Sequence, residues 1–129
     1  MNVMPLVNRL ETLKLGVKGK SLFVNMLPAE ARQAVLVRSP LNGTPINYEL
    51  PGYYRAGFTV IVRTPAAEYE KGLALMKKVT TALTVDNLQV EEQFFNYVRP
   101  RTQPVVFPLS AGNLLEISAQ FDANYVEQA

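Results

Sequence analysis

Four polar side chains, Glu116, Ser118, Gln120 and Asp122, recur at every second position near the C-terminus. On a strand that spacing puts them on one face in steps of roughly 7 Å. Such a row can hold a cation, face solvent or lie against a neighbouring subunit. Arg99 and Arg101 flank Pro100 close to Tyr97. Guanidinium and aromatic groups together suit phosphate contact and base stacking, and they equally suit a salt-bridged subunit contact. Glu91 and Glu92 are adjacent, so on a strand they point to opposite faces and do not converge on one proton or metal. Gly19-Lys20-Ser21 has the end of a phosphate loop, but the place of that motif's first glycine is taken by Lys14. The surrounding order, helix then strand, is also the reverse of what the loop needs. Asn42-Gly43-Thr44 fits a glycosylation acceptor; without a secretory signal it reads as a turn.

The chain has no His and no Cys in its 129 residues. That removes the commonest general base and metal ligand, the thiolate nucleophile and any disulfide framework. An enzyme would have to work with carboxylates, Lys, Tyr or Arg, and Tyr97, Arg99 and Glu116 are the best set on offer. We therefore expect no catalytic residues, no metal site and no cofactor. The formal charge of +2 lacks the dense basic stripe of a dedicated nucleic-acid binder. The N-terminus shows no charged segment followed by a long apolar run, and no apolar stretch approaches the ~20 residues of a membrane span. The expectation is one soluble domain over 1–129, made in the cytoplasm and large enough to bury a core without staples.

The elements that must position these residues can be read from periodicity. Val3, Leu6, Val7, Leu10 and Leu13 predict a helix from Pro5 to Leu15, ended by Gly16. Leu22–Leu27 and Ala34–Val37 read as strands, and Leu41–Gly52 as a loop or long hairpin arm. Tyr54, Ala56, Phe58, Val60 and Val62 line one face of a strand, with Arg55, Thr59, Ile61 and Arg63 on the other. Thr64 and Pro65 then look like the N-cap and first residue of a helix. That helix would present Tyr69, Leu73, Met76, Val79, Thr80 and Leu83 to the core, and Asp86-Asn87 would turn the chain after it. Gln93–Val98 is a further strand. In the last one Leu115, Ile117, Ala119, Phe121, Ala123 and Tyr125 alternate with polar residues. The order predicts an α+β fold: a mostly antiparallel β-sheet with one long and one shorter helix packed on one face.

Some apolar surface is left without an internal use. The arm carries Leu41, Ile46, Tyr48, Leu50, Tyr53 and Tyr54, and Val105–Leu109 is apolar but interrupted by Pro108. Exposed apolar arms on a small domain point to a protein partner. A long final strand at a sheet edge could extend a neighbour's sheet.

Taken in order, VNRLETL, VNMLPAEARQAVLVRSPLNGTPINYELPGYY, GFTVIVRTPAAEYEKGLALMKKVTTAL, NYVRP and LLEISAQFDANYV make the chain resemble the tail terminator, or tail completion, proteins of tailed bacteriophages. The shared pattern places Arg63 at a strand end, Tyr69 in the helix, Arg99-Pro100 after the next strand, and Glu116-Ile117-Ser118 before Phe121 and Tyr125. It departs at Asn113-Leu114-Leu115, where the family would carry a glycine-arginine pair. The resemblance implies a virion structural protein, assembled in the host cytoplasm. It would form a hexameric ring on the head-proximal end of the tail tube, stop tube growth and offer a docking face to the head connector. Implied partners are further copies of the chain, the tube protein and the connector or stopper protein. DNA would pass through the pore without sequence-specific binding, and no membrane is involved. The residues expected at subunit or partner contacts are Ile46, Tyr48, Tyr53, Tyr54, Arg55, Arg63, Arg99, Arg101, Glu116, Ser118 and Gln120. The alternatives are another neck or head–tail completion component, and a small-ligand or RNA-binding α+β module.

Overall fold

A computed structural model describes residues 1–109 and 112–127. Helix α1 spans Met4–Thr12, and strands β1 (Leu22–Val24) and β2 (Ala34–Arg38) follow. Strand β3 (Tyr53–Pro65) leads through a 3-10 turn at Ala66–Glu68 into helix α2 (Tyr69–Leu83). Strands β4 (Val85–Val90), β5 (Gln93–Pro100), β6 (Val105–Leu109) and β7 (Leu114–Glu127) are the remaining elements among the described residues. One seven-stranded sheet runs in the order β1-β2-β3-β7-β5-β4, with β6 also on β7. All pairs are antiparallel except β1 with β2. The fold is α+β.

Strand β7 is the centre. One flank pairs with β3 from Tyr53↔Val126 to Pro65↔Leu114. The other pairs first with β6, at Leu114–Ser118, and then with β5, at Phe121–Glu127. The final strand therefore has no free edge, which corrects the expectation that it could extend a neighbour's sheet.

The inward rows follow the alternation. Phe58, Val60 and Val62 face Phe121, Ala119 and Ile117 across the ladder, and all six are at most 2 % exposed. The Phe58 and Phe121 rings stack at 5.3 Å between centroids. Phe95, Val98 and Tyr125 extend the row, and Leu6, Val7, Leu10, Met76, Val79 and Leu83 cover it from the helices. Each such side chain contributes roughly 1.5–3 kcal/mol by leaving water.

Several local expectations give way to the sheet. Thr64 and Pro65 stay in β3, because pairing with Leu115 and Leu114 continues the ladder past the proline. Thr64 does not cap α2; its buried hydroxyl donates to the Glu68 carbonyl at 3.3 Å. Asp86 and Asn87 lie within β4; Asn87 takes the left-handed φ of 48° that made it look like a turn. The real turn is Glu91-Glu92, between paired Val90 and Gln93, with Glu91 at φ 53°. Helix α1 stops at Thr12 because Lys14, and not Gly16, adopts φ 61°, and the Leu15 and Lys14 N–H groups reach back to Leu10 and Glu11. Strand β1 ends at Val24, where Asn25 turns left-handed at φ 65°. Val105–Leu109 does form a strand; Pro108 is tolerated because β6 pairs on one side only.

In α2, Tyr69 is 40 % exposed and Gly72 takes the inward position. A Cβ on Gly72 would lie 2.6 Å from Thr64 Cγ2 and 3.0 Å from Ile117 Cδ1. The glycine sets how closely the helix approaches the sheet. Gly72→Ala should cost about 1–2 kcal/mol, because overpacking exceeds the gain in helix propensity. Adding Thr64→Ser, which removes the clashing methyl and keeps the hydroxyl, should recover part of that loss; chemical denaturation of both variants checks it.

Candidate functional site

The face of the sheet turned away from the helices carries most of the predicted residues. Tyr53, Arg55, Gly57, Thr59, Ile61 and Arg63 of β3 lie opposite Val126, Asn124, Asp122, Gln120, Ser118 and Glu116 of β7. Arg99, opposite Asp122, and Arg101 just past β5 border it. Ile46 and Tyr48 stand on the arm, 63 % and 84 % exposed. Tyr54 is on the other side, half-buried and stacked on Tyr125 at 5.5 Å.

The acidic row is occupied by guanidinium groups. Glu116 Oε2 accepts from Arg63 Nη2 at 2.9 Å and from Nε at 3.2 Å. Arg63 Nη1 also donates to the Pro28 and Ala31 carbonyls, at 3.1 and 3.3 Å. Both side chains are mostly buried, so this pair fastens the loop between β1 and β2 to the sheet. Asp122 accepts two bonds from Arg101, one from Nε at 2.9 Å and a short one from Nη2. Their pairing raises the Arg101 pKa. Arg101 lies across Gly57, where a Cβ would come within 2.7 Å of Nη2. Among the described residues no cluster of three or more His, Cys, Asp or Glu side chains could hold a metal ion.

A second polar chain was not legible beforehand. Asn96 Nδ2 donates to Asn124 Oδ1 at 2.8 Å, and Asn124 Nδ2 donates to the Tyr53 hydroxyl. Asn124 is buried, and it lowers the Tyr53 pKa, with Arg55 adding to the effect. Arg99 stacks over Tyr97, its Cζ 3.9 Å from the ring centre. The alternation marked Asn124 as outward; only the bulge at Asn96 brings the two amides together.

Around this polar centre lie apolar surfaces without cover. Leu41 is 83 % exposed and Leu50 53 % on the arm, and Val105 and Phe107 are 51 % and 52 % exposed on β6. A family model described as bacteriophage tail terminator protein matches residues 9–127. The chain belongs to that family. It is thus a structural component of the phage tail or neck, located in the virion. Among solved structures, it is similar to a chain in a structure titled "Virion of native gene transfer agent (GTA) particle". The TM-score is 0.67 at 15 % identity, covering 94 % of this chain and 91 % of the other. At that identity the likeness is one of fold. No curated protein matches the chain in sequence. No helix among the described residues is long and apolar enough to cross a membrane.

Two outcomes follow from this geometry. Arg63→Ala should destabilise the fold by about 2–3 kcal/mol, since Glu116 and two carbonyls lose a charged donor, whereas Glu116→Gln should cost about half as much. Urea unfolding of the two variants measures this. Burial raises the Tyr125 pKa to about 12, the charge of Glu127 adding and a hydrogen bond with Thr44 opposing. The unfolded phenol ionises near 10, so its contribution is complete below about pH 10 and declines as pH rises towards 12. Tyr53, with a lowered pKa, acts in the opposite sense. Tyr125→Phe should flatten the alkaline loss of stability, read as midpoints of thermal melts from pH 8 to 12.

Proposed function

We propose that copies of this chain form a hexameric ring on the head-proximal end of the tail tube, where the ring stops tube growth and presents a docking face to the head connector. The whole chain acts as one unit in that ring. Its partners are its own copies, the tube protein and the connector or stopper protein, and DNA passes through the pore without sequence-specific binding. The role is structural and not enzymatic.

One observation carries this reading beyond family membership. Two groups of exposed apolar side chains lie on different elements, Leu41, Ile46, Tyr48 and Leu50 on the arm, and Val105 and Phe107 on β6, beside the more scattered Leu13, Val17, Met26 and Tyr69. A ring needs a heterologous contact in which two different patches of each subunit meet. A symmetric dimer would need one self-complementary patch. On this reading Ile46, Tyr48, Tyr53, Arg55, Arg99, Arg101, Ser118 and Gln120 serve contacts with neighbours. Arg63 with Glu116, and Tyr54 with Tyr125, hold the scaffold that presents them.

Native mass spectrometry across a concentration series tests the ring, with tube capping as the functional assay. The wild type should yield a six-subunit species that shortens tubes grown in its presence. Ile46→Asp with Tyr48→Asp should leave monomer stability within about 0.5 kcal/mol, because both side chains are exposed. The same pair should abolish the higher species. Full rings from that double variant would remove the arm from the contact.

A further inference from the structure

The arm and the strand after it fit poorly in one subunit and would fit well between two. Strand β2 pairs with β3 only from Thr59 to Arg63. Along Tyr53–Phe58, β3 is paired with β7 on one side and, among the described residues, has no strand on the other. The arm passes over that flank without joining it. Pro40–Pro45 and Arg55–Thr59 line a cavity of about 370 Å³ there, together with Arg101, Gln120 and Phe121. An open flank on a long strand is a template for another extended segment.

The chain also contains a segment with the pattern of a strand and no strand structure. Ile46, Tyr48 and Leu50 alternate with Asn47 and Glu49, yet Pro45–Leu50 is irregular and all three apolar side chains are more than half exposed. It holds only a local turn, in which Asn47 Oδ1 accepts from the Glu49 and Leu50 N–H groups at 3.0 and 3.3 Å. Strict alternation with no buried face is a conflict between sequence and local structure, of the sort that a missing partner resolves.

The segment is poorly placed to fill its own subunit's flank. Leu50 and Tyr53 are joined by Pro51-Gly52, with Gly52 at φ 81° and the Tyr53 N–H bonded to the Leu50 carbonyl at 3.1 Å. That is the geometry of a type II turn. Its twist splays the flanking strands instead of pairing them, unlike the primed turns of two-residue hairpins. A neighbouring copy's arm carries no such restraint.

We propose that Pro45–Leu50 of one copy adds as a strand to the open Tyr53–Phe58 flank of the next. The proposal rests on the ring reading and specifies its contact. Segment and flank are equal in length, and the exchange is heterologous, so it propagates around a ring. The arm's Tyr48 and Ile46 would then lie beside Arg55 and Gly57 of the neighbour, over the polar centre built by Arg101 and Asp122.

Hydrogen–deuterium exchange on monomeric and assembled wild-type protein tests the proposal, together with Tyr48→Pro. Proline there removes a backbone donor from a side chain that is 84 % exposed, so the packed core is untouched. On assembly, the amides in Tyr53–Phe58 that point away from β7, and the alternate arm amides of Ile46, Tyr48 and Leu50, should slow by at least about 100-fold. Tyr48→Pro should remain monomeric with a wild-type melting curve, while Tyr48→Ala, which keeps the N–H, should still assemble in part. Rings in which the flank exchanges as fast as in the monomer, or rings formed by Tyr48→Pro, would overturn the strand exchange and leave the ring standing. Flank protection on added tail tubes that persists in Tyr48→Pro would assign the flank to the tube protein and overturn the exchange between copies. Wild-type protein that stays monomeric at every concentration and on tube ends would overturn both.

Discussion

The ladder between β3 and β7 is the constraint on which the molecule depends. Both strands are long, thirteen and fourteen residues, and they pair in unbroken register. Register on a sheet with one buried face is all or nothing, since a slip of one residue would exchange Phe58, Val60 and Val62 for Thr59, Ile61 and Arg63. The inward rows therefore fix the outward ones. Because Val62 meets Ile117 in the core, Arg63 meets Glu116 outside; because Phe58 meets Phe121, Gly57 lies opposite Asp122 and leaves room for Arg101. The polar architecture of the outer face follows from the packing of the inner one.

The same ladder explains where the sheet is left open. Strand β7 is filled on both flanks because β5 and β6 divide its second side between them. Strand β3 is filled on one flank only, since β2 is five residues long and pairs at its far end. The strands at the sheet's own edges are protected in the usual ways: β1 is only three residues long, β4 is interrupted by left-handed Asn87, and β6 contains Pro108. The unprotected stretch is the near half of β3, and the arm hangs beside it.

How much of this could be read from the chain depends on the range of the signal. The β3 and β7 faces, the helical stripes and the α+β class were legible because periodicity is local and strong. What failed was punctuation. Thr64-Pro65 and Asp86-Asn87 both carry local signals for a cap or a turn, and in both places a cross-strand ladder outweighed them. Gly72 gave no signal, because its role depends on Thr64 and Ile117 reaching the same point in space. On the candidate site, the alternation placed Arg55 and Arg63 on one face of their strand, and Glu116, Ser118 and Gln120 on one face of another, without any knowledge of partners. It could not say that Arg63 and Glu116 would satisfy each other, since that depends on the register between segments fifty-three positions apart. Tyr54 was grouped with the arm by its apolar neighbours, although strand parity sets it against Tyr125.

An interface made from an irregular arm also bears on when it can form. Ordering six residues costs about 1–2 kcal/mol each. Burying Ile46, Tyr48 and Leu50 returns roughly 1.5–3 kcal/mol apiece, and each new backbone hydrogen bond a net of about 1 kcal/mol. Cost and gain are of similar size, on the order of ten kcal/mol, before the loss of translational and rotational freedom is counted. One exchanged arm is then too weak to hold two free subunits together. Within a closed ring each subunit gives one arm and receives another, and a tube end would align them in advance, so that later contacts form at high effective concentration. A protein whose task is to end a polymer must not polymerise by itself. A contact near zero for a single pair and favourable only once the ring closes meets that requirement, and a preformed rigid edge would not.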